Sequence, residues 1–479
     1  MVGLVGLCGL VGTLVAPSAT AQTPGLPDPN DIVTGVVRQV CDLAWIDGVC
    51  ELFGYPEPQY QTNTDPSPAN PLALRVGVLH NHSGYSDGDP DMRPSDYFTA
   101  GRTGHNTADA GGDTGIKIDY MISSEHSENE KIPITTAEVC LGAAPLECLN
   151  LDQPDHYRKW TETLQQAVAG TEMTGMDYTG FTAMRGFEYT NDIWNHLGVY
   201  FSRNVVNAKI DGSYLLPNLF WNWIREPAER GGGSDALVVF NHPGGVPNLT
   251  PFGDGALLGP ILQLLFQGNW NNYRYVPDVD DRVAGMEITG GDDLSWFTRA
   301  VTNGWHIGPI APEDEHQREW STSSDGKTLM LTRGRSPRDY YWALQNSRTI
   351  AVGNDLVSGT PGQPAVVPSI QYWADGASVN APGASPLGSR LVGNGVRTLN
   401  LDASGLIPGS KAVLVRAGGP PIALGTVGPG GTITATQLVA APTTGEGWWF
   451  AVICGPDSTS CGTDEKYDAV TAPIWLRRP

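Results

Sequence analysis

Short apolar runs in this chain keep ending on side chains that ligate metals. Leu72 to Leu79 runs into His80-Asn81-His82, and Ser86-Asp87-Gly88 comes directly after. Ile118 to Ser123 leads to Glu125-His126, Phe181 to Phe187 leads to Glu188, and Ala236 to Phe240 leads to Asn241-His242-Pro243. Ile307 to Ile310 leads towards Asp314-Glu315-His316, while His196 stands just ahead of Leu197 to Phe201. Apolar runs of this length suit buried strands. A strand followed by a functional group, repeated, is the signature of an α/β barrel, where such groups gather beyond the carboxyl ends of the strands. One metal ion needs only a few histidine or carboxylate donors. This set is large enough for more than one ion, which points to a multinuclear hydrolytic centre.

Composition bounds the setting. Residues 1–16 are almost wholly apolar and small, and Ala19-Thr20-Ala21 offers a cleavage site before Gln22. That reads as a signal peptide over 1–21, removed on secretion. A membrane anchor is the alternative, but the run is short and glycine-rich for a span, and no later stretch reads as one. Beyond Cys8, six cysteines fall in three local couples: Cys41 with Cys50, Cys140 with Cys148, Cys454 with Cys461. Such couples suit disulfides in an oxidising compartment, and none has the spacing of a structural zinc site. A net charge of -22 and the lack of any Lys/Arg run argue against a nucleic-acid partner.

Organisation follows the same patterns. Residues 22–71 form a lead-in with one short helix from Asp31 to about Val49. Residues 72–355 carry the strand-then-donor repeats, with helices expected over Pro154 to Ala169 and Ser336 to Asn346, where Pro337 suits a first turn. The segment 356–371 is a proline- and glycine-rich linker. Residues 372–479 change to strands and turns, including Val396 to Leu401, Lys411 to Arg416, Thr432 to Leu438 and Trp448 to Ile453. They read as a small all-β sandwich.

The donors differ in weight. His80 and His82 stand two apart at a strand end, so both rings share one face. Asp87 offers a carboxylate on the same loop, with Asp89 and Asp91 as competitors. His126 is a candidate ligand, and Glu125 either joins it or holds a histidine in its tautomer. Glu188 could bridge two ions. His196 is a ligand or packs on Trp194. His242 sits above a turn set by Pro243-Gly244-Gly245. Asp314 and His316 repeat the two-apart geometry. His306, beside Trp305, is a proton-transfer group, a ligand or packing. No HExxH, GxSxG in context or phosphate loop competes.

As an ordered whole, His80-x-His82, Ser86-Asp87-Gly88, Glu125-His126, Glu188, His196, Asn241-His242-Pro243 and Asp314-x-His316 resembles the PHP (polymerase and histidinol phosphatase) superfamily over residues 74–355. The resemblance implies a distorted seven-stranded (β/α) barrel holding two or three divalent ions, zinc, manganese or iron. It assigns one ion to His80, His82, Glu188 and Asp314, a second to Glu188, His196 and His242, and a third to His126, His316 and Asp87. The family usually has Asp where this chain has Glu125. The exported setting and the C-terminal β-domain look more like the carbaryl-hydrolase-like branch.

The implied reaction is hydrolysis of a small-molecule ester by a metal-bound hydroxide. Phosphomonoesters come first, with Arg93, Arg185 and Arg318 as the candidate anion-binding cations. Carboxyl esters or carbamates come second, with Trp194, Trp221, Trp223 and Trp305 as a candidate apolar wall. A secreted binding protein without catalysis is the third reading.

Overall fold

The computed structural model describes residues 64–104, 116–127, 154–210, 213–244, 269–288, 293–321, 326–353, 367–463 and 467–479. The signal segment, the helix expected near Asp31 to Val49 and the couples Cys41/Cys50 and Cys140/Cys148 lie outside these residues.

The first part alternates strands and helices: β1 (Ala73–Val78), α1 (Pro94–Thr103), β2 (Tyr120–Ile122), α2 (Pro154–Gly170), β3 (Thr182–Met184), β4 (Gly186–Tyr189), β5 (Leu197–Tyr200), α3 (Pro217–Arg225), β6 (Leu237–Phe240), β7 (Val283–Glu287), α4 (Asp293–Asn303), β8 (Gly308–Ile310), β9 (Lys327–Thr332), α5 (Pro337–Gln345) and β10 (Thr349–Val352). Strands β2 to β10 are buried along their whole length, as expected of short apolar runs covered on both faces. Helix α5 starts where the sequence signals it. Ser336 caps it, the backbone N–H of Asp339 donates to the Ser336 hydroxyl, and the Asp339 carboxylate accepts from Ser336 N–H.

These strands do not close into one barrel. They divide between two sheets. Strands β1, β2 and β3 run parallel in a large mixed sheet that continues through antiparallel β9 and β10. Strands β4 to β8 form a second sheet in which β5 is antiparallel to both neighbours while β6, β7 and β8 are parallel. The ladder breaks at Arg185, where the chain leaves β2 at Met184 and joins β5 from Gly186. Among the described residues, the sheets are joined by isolated bridges, Asn81 to Glu315 and His126 to Glu188. Where a distorted seven-stranded barrel is expected, the described strands form no closed barrel but two sheets that meet at two short seams.

The C-terminal residues supply β11 (Ser369–Ala374), β12 (Arg390–Val392), β13 (Val396–Ser404), β14 (Lys411–Arg416), β15 (Gly419–Thr426), β16 (Ile433–Ala440), β17 (Glu446–Cys454), β18 (Ala469–Thr471) and β19 (Ile474–Arg477). Their sandwich is not self-contained. β11, β13 and β16 make a four-stranded sheet with the short strand Ser385–Pro386, but β18 pairs with β10, so β12, β14, β15, β17, β18 and β19 extend the large sheet. Alternation along β17 shows how both faces are used. Trp449, Ala451 and Ile453 pack with Ile370, Leu399 and Leu401 of the four-stranded sheet, whereas Trp448, Phe450 and Val452 pack with Phe297 of α4 and Met286 of β7. Cys454 and Cys461 form the expected local disulfide at the end of β17.

Candidate metal centre

Strand polarity explains why distant residues meet. His80 and His82 leave the carboxyl end of β1, Glu188 lies near the carboxyl end of β4, and His242 and Asp314 follow β6 and β8. His196 precedes its strand, but β5 is antiparallel to β4 and β6, so its amino end lies among their carboxyl ends. Main-chain bonds lock the segments together. Asp314 N–H donates to His80 O at 2.9 Å, His82 N–H to Glu315 O at 3.0 Å, and Asn241 N–H to His196 O at 3.2 Å. Asn81 is held between these bonds by Ser124, whose hydroxyl accepts from Asn81 N–H at 2.7 Å.

Glu188 is the hub, 1 % exposed. Its Oε1 lies 3.2 Å from His80 Nε2, 3.3 Å from His196 Nδ1 and 3.2 Å from His242 Nε2. Its Oε2 lies 2.9 Å from His126 Nδ1 and 3.7 Å from His82 Nε2. One buried carboxylate therefore faces five imidazoles. Asp314 Oδ1 stands 3.3 Å from both His80 Nε2 and His82 Nε2. Asp87 Oδ1 stands 3.2 Å from both His126 Nε2 and His316 Nε2.

These atoms make three donor groups, each spanning no more than 4.8 Å: His80 with His82 and Asp314; His126 with Glu188 and His196; His82 with Asp87, His126 and His316. Ligands about 2.1 Å from a common ion lie roughly 3–3.5 Å from one another, so the spacing suits coordination. The buried His80 Nε2, His82 Nε2 and His196 Nδ1 also have no hydrogen-bond partner. Such orphans are costly in a native interior, and a cation satisfies them. Asp314 and His242 adopt positive φ, +50° and +26°, and Asn195 beside His196 does so at +83°. Backbone strain of this kind concentrates at functional sites.

Carboxylates and hydroxyls behind the rings fix their orientation. Glu287, fully buried at the end of β7, takes His80 Nδ1 at 2.7 Å and His242 N–H at 2.6 Å, so one side chain sets two donors. Asp192 holds His196 Nε2 at 3.1 Å and itself receives the Tyr214 hydroxyl. Neither acid stands out in the sequence reading. Glu287 ends an apolar run as Glu188 does, and that signal was there to be used. Glu125 touches no histidine directly. It accepts the Ser83 and Ser86 hydroxyls, each at 2.6 Å, and Ser86 Oγ lies 3.2 Å from His82 Nδ1. Its hold on the ring is relayed through Ser86.

Electrostatics match the packing. Burial alone would raise the Glu188 carboxyl, but His80, His196 and His126 outweigh it and hold the group well below its ordinary range. Burial pulls His126 down, yet Glu188 and Asp87 lift it to about 10. Burial likewise opposes the rise of His196 to about 9, which Glu188 and Asp192 drive. His82 goes the other way, to about 4, through burial and the neighbouring His126 and His80. Asp314 and Asp87 are both lowered against the effect of burial by the histidines around them. The carboxylates demand positive charge while His82 resists a proton, a conflict that divalent cations resolve.

Several candidates are engaged by other groups. His306 precedes β8, and β8 runs parallel to β7, so it sits at the opposite end from Asp314. There its Nδ1 meets Asp280 Oδ2 and its Nε2 meets Glu446 Oε2, both at 2.7 Å. It joins the α/β part to β17 and belongs to no donor group. Arg185 stacks 3.6 Å from the Trp160 ring centroid and donates to Trp160 O and Ser202 O. Burial lowers its pKa to about 9. Arg318 pairs with Asp89 at 2.5 Å, and Arg93 donates to the Tyr85 hydroxyl at 2.9 Å. Asp89 thus serves Arg318, leaving Asp87 as the loop acid that faces histidines. Trp194, Trp221, Trp223 and Trp305 are buried in the core that packs against β4 to β7.

No family model and no curated protein matches the chain. Among solved structures, it is similar to a two-domain protein from Bacteroides vulgatus ATCC 8482 described as containing a predicted PHP-like metal-dependent phosphoesterase. That match has 15% identity and a TM-score of 0.38, and covers 84% of this chain and 95% of that one. It is also similar to PsfC from Pseudomonas syringae PB-5123, with 14% identity, TM-score 0.31, and 58% and 90% of the two chains covered. A third likeness is to endonuclease Q bound to a 27-mer duplex with an abasic lesion, with 10% identity, TM-score 0.30 and 57% of each chain covered. Likeness at these scores says nothing about activity.

Proposed function

We propose that this chain is an exported, metal-dependent hydrolase of PHP type that cleaves phosphomonoesters. The observation that carries the hydrolase reading is the buried Glu188 carboxylate facing five imidazoles, flanked by Asp314 and Asp87. We read the two sheets as halves of one distorted barrel whose seams lie at the site. His80, His82, Glu188 and Asp314 would hold one ion, and Glu188, His196 and His242 a second. His126, His316 and Asp87 would hold a third, with zinc, manganese and iron all suited to this nitrogen and oxygen set.

Divalent ions held there would lower the pKa of coordinated water towards neutrality and offset charge on the substrate oxygen. The protein's own share is orientation. Glu287 fixes the His80 ring so that Nε2 faces the site, Asp192 does the same for the Nδ1 of His196, and the Ser86–Glu125 relay aims His82 Nε2. Secretion is supported by the Cys454–Cys461 disulfide. No described helix is long and apolar enough to cross a membrane.

Carboxyl-ester or carbamate hydrolysis is the second reading. One observation favours it: Arg93, Arg185 and Arg318 are all engaged by protein groups, so none of the three arginines expected to bind phosphate stands ready to do so. The deciding experiment loads the purified protein with manganese or zinc and offers a generic phosphomonoester and a generic aryl carboxyl ester. Turnover of the first, lost in His82→Ala, is the expected result. Turnover of only the second shifts the reaction class. Full turnover in His82→Ala would overturn the site assignment.

A further inference from the structure

Beside the donor cluster lies a recess of about 40 Å³ that the metal-binding reading does not use. It shares a wall with the centre, because His126 lines it. Tyr85, Trp160, Phe187 and Val205 make most of the remaining wall apolar; Glu125 and Thr163 also line it, as does Lys159, whose ammonium donates to Tyr85 O at 2.8 Å. Ser127 supplies the unpaired polar feature. It is 2 % exposed, and its hydroxyl has no hydrogen-bond partner among the described residues. A buried hydroxyl without a partner is destabilising unless something fills the need. A site that holds a bound group largely by apolar walls, with a few placed polar groups, has the make-up of a small-molecule subsite.

The geometry points to a specificity subsite for the non-reacting arm of the substrate: a short, mostly apolar group carrying at most one hydrogen-bond acceptor. This rests on the hydrolase reading above. Size supports the choice. The space is that of about three water molecules, which suits a chain of roughly three heavy atoms better than a sugar or a nucleoside. Contact with His126 places the arm next to the reacting centre. The walls reward methylene groups, and the Ser127 hydroxyl rewards a hydrogen-bond acceptor.

The test compares methyl with n-propyl members of two series, alkyl phosphates and alkyl carboxyl esters, on the metal-loaded full chain. The expected result is a preference for n-propyl of at least about ten-fold in kcat/KM within the series that is turned over, carried mainly by KM. Val205→Phe fills the recess and should bring the propyl-to-methyl ratio to about one with the metal content kept. Val205→Ala enlarges it and should shift the best chain length towards butyl or longer, which keeps the idea exposed should the larger side chain fail to fold. Equal rates for methyl and propyl in the unaltered protein, or a ratio that neither variant moves, would overturn the subsite while leaving the hydrolase reading intact. No turnover of any member in either series would overturn the hydrolase reading and the subsite together.

Discussion

Two sites where histidine meets carboxylates sit at opposite ends of the same strands, and they are finished differently. At the far end, both ring nitrogens of His306 meet carboxylates at 2.7 Å, and Arg390 adds a 3.2 Å contact to Asp280. Nothing there is left unpaired on the ring. At the donor cluster, His80, His82 and His196 each keep a buried nitrogen without a partner, and the chain adopts positive φ at Asp314 and His242. Histidines packed with acids therefore do not by themselves mark a site. What marks one is the surplus: donor atoms that the fold holds in place and does not satisfy.

The buried Glu313–Lys327 pair supplies the sharpest break of this contrast. Both side chains are fully buried and 2.6 Å apart, and Glu313 also takes the Ser321 N–H. It sits next to Asp314 in sequence but is closed, like the His306 joint. Lys327→Met leaves an unpaired buried carboxylate and should cost about 3–5 kcal/mol. Denaturant unfolding with and without added metal checks this. If the pair is closed, the loss is the same in both conditions. A loss that added metal cancels would move Glu313 into the donor cluster.

Glu287 tests the other side of the comparison with a smaller effect. It satisfies His80 Nδ1 and His242 N–H without belonging to a donor group itself. Glu287→Gln keeps the shape and removes the charge that orients the ring. Metal affinity, measured by titration against a chelator of known strength, should fall roughly 10–100-fold while the fold survives. An unchanged affinity would mean that His80 is placed by packing alone.

Much of this was legible in the sequence, and strand polarity explains both the successes and the failures. His80, His82, His126, Glu188, His242 and Asp314 end apolar runs, and the structure brings all six to one place. His196 precedes its run, yet it joins them because β5 is antiparallel. His306 also precedes its run, but β8 is parallel, so the same local pattern puts it at the far end. Pairing direction is set by long-range partners that no local spacing encodes. The same holds for the sandwich: its strands were visible, while the β10–β18 pairing that fuses it to the large sheet was not. The arginines failed for a related reason. A cation can be read from a sequence, but Trp160, Asp89 and Tyr85 as its partners cannot.

The smallest effect lies at the His306 joint and has a defined sign. Burial lowers the His306 pKa, but the bonds to Asp280 and Glu446 outweigh it and raise the group above 6.5. A raised folded-state value means that the stabilisation is complete below 6.5 and is lost as pH climbs through the folded pKa. Burial would raise Asp280, but His306 and Arg390 hold it below 3.8, so its share is present above that value and fades as pH falls through the lowered one. Between these limits, with the His306 imidazolium and the Asp280 carboxylate charged, the joint is strongest. His306→Gln should therefore lower the melting temperature most near pH 5, by an amount equivalent to about 1–3 kcal/mol. The difference from the unaltered protein should shrink as pH rises past the folded His306 value. Because the joint is closed, saturating metal should leave the variant's deficit unchanged, whereas a deficit that metal erases would tie His306 to the donor cluster and remove the distinction between the two ends.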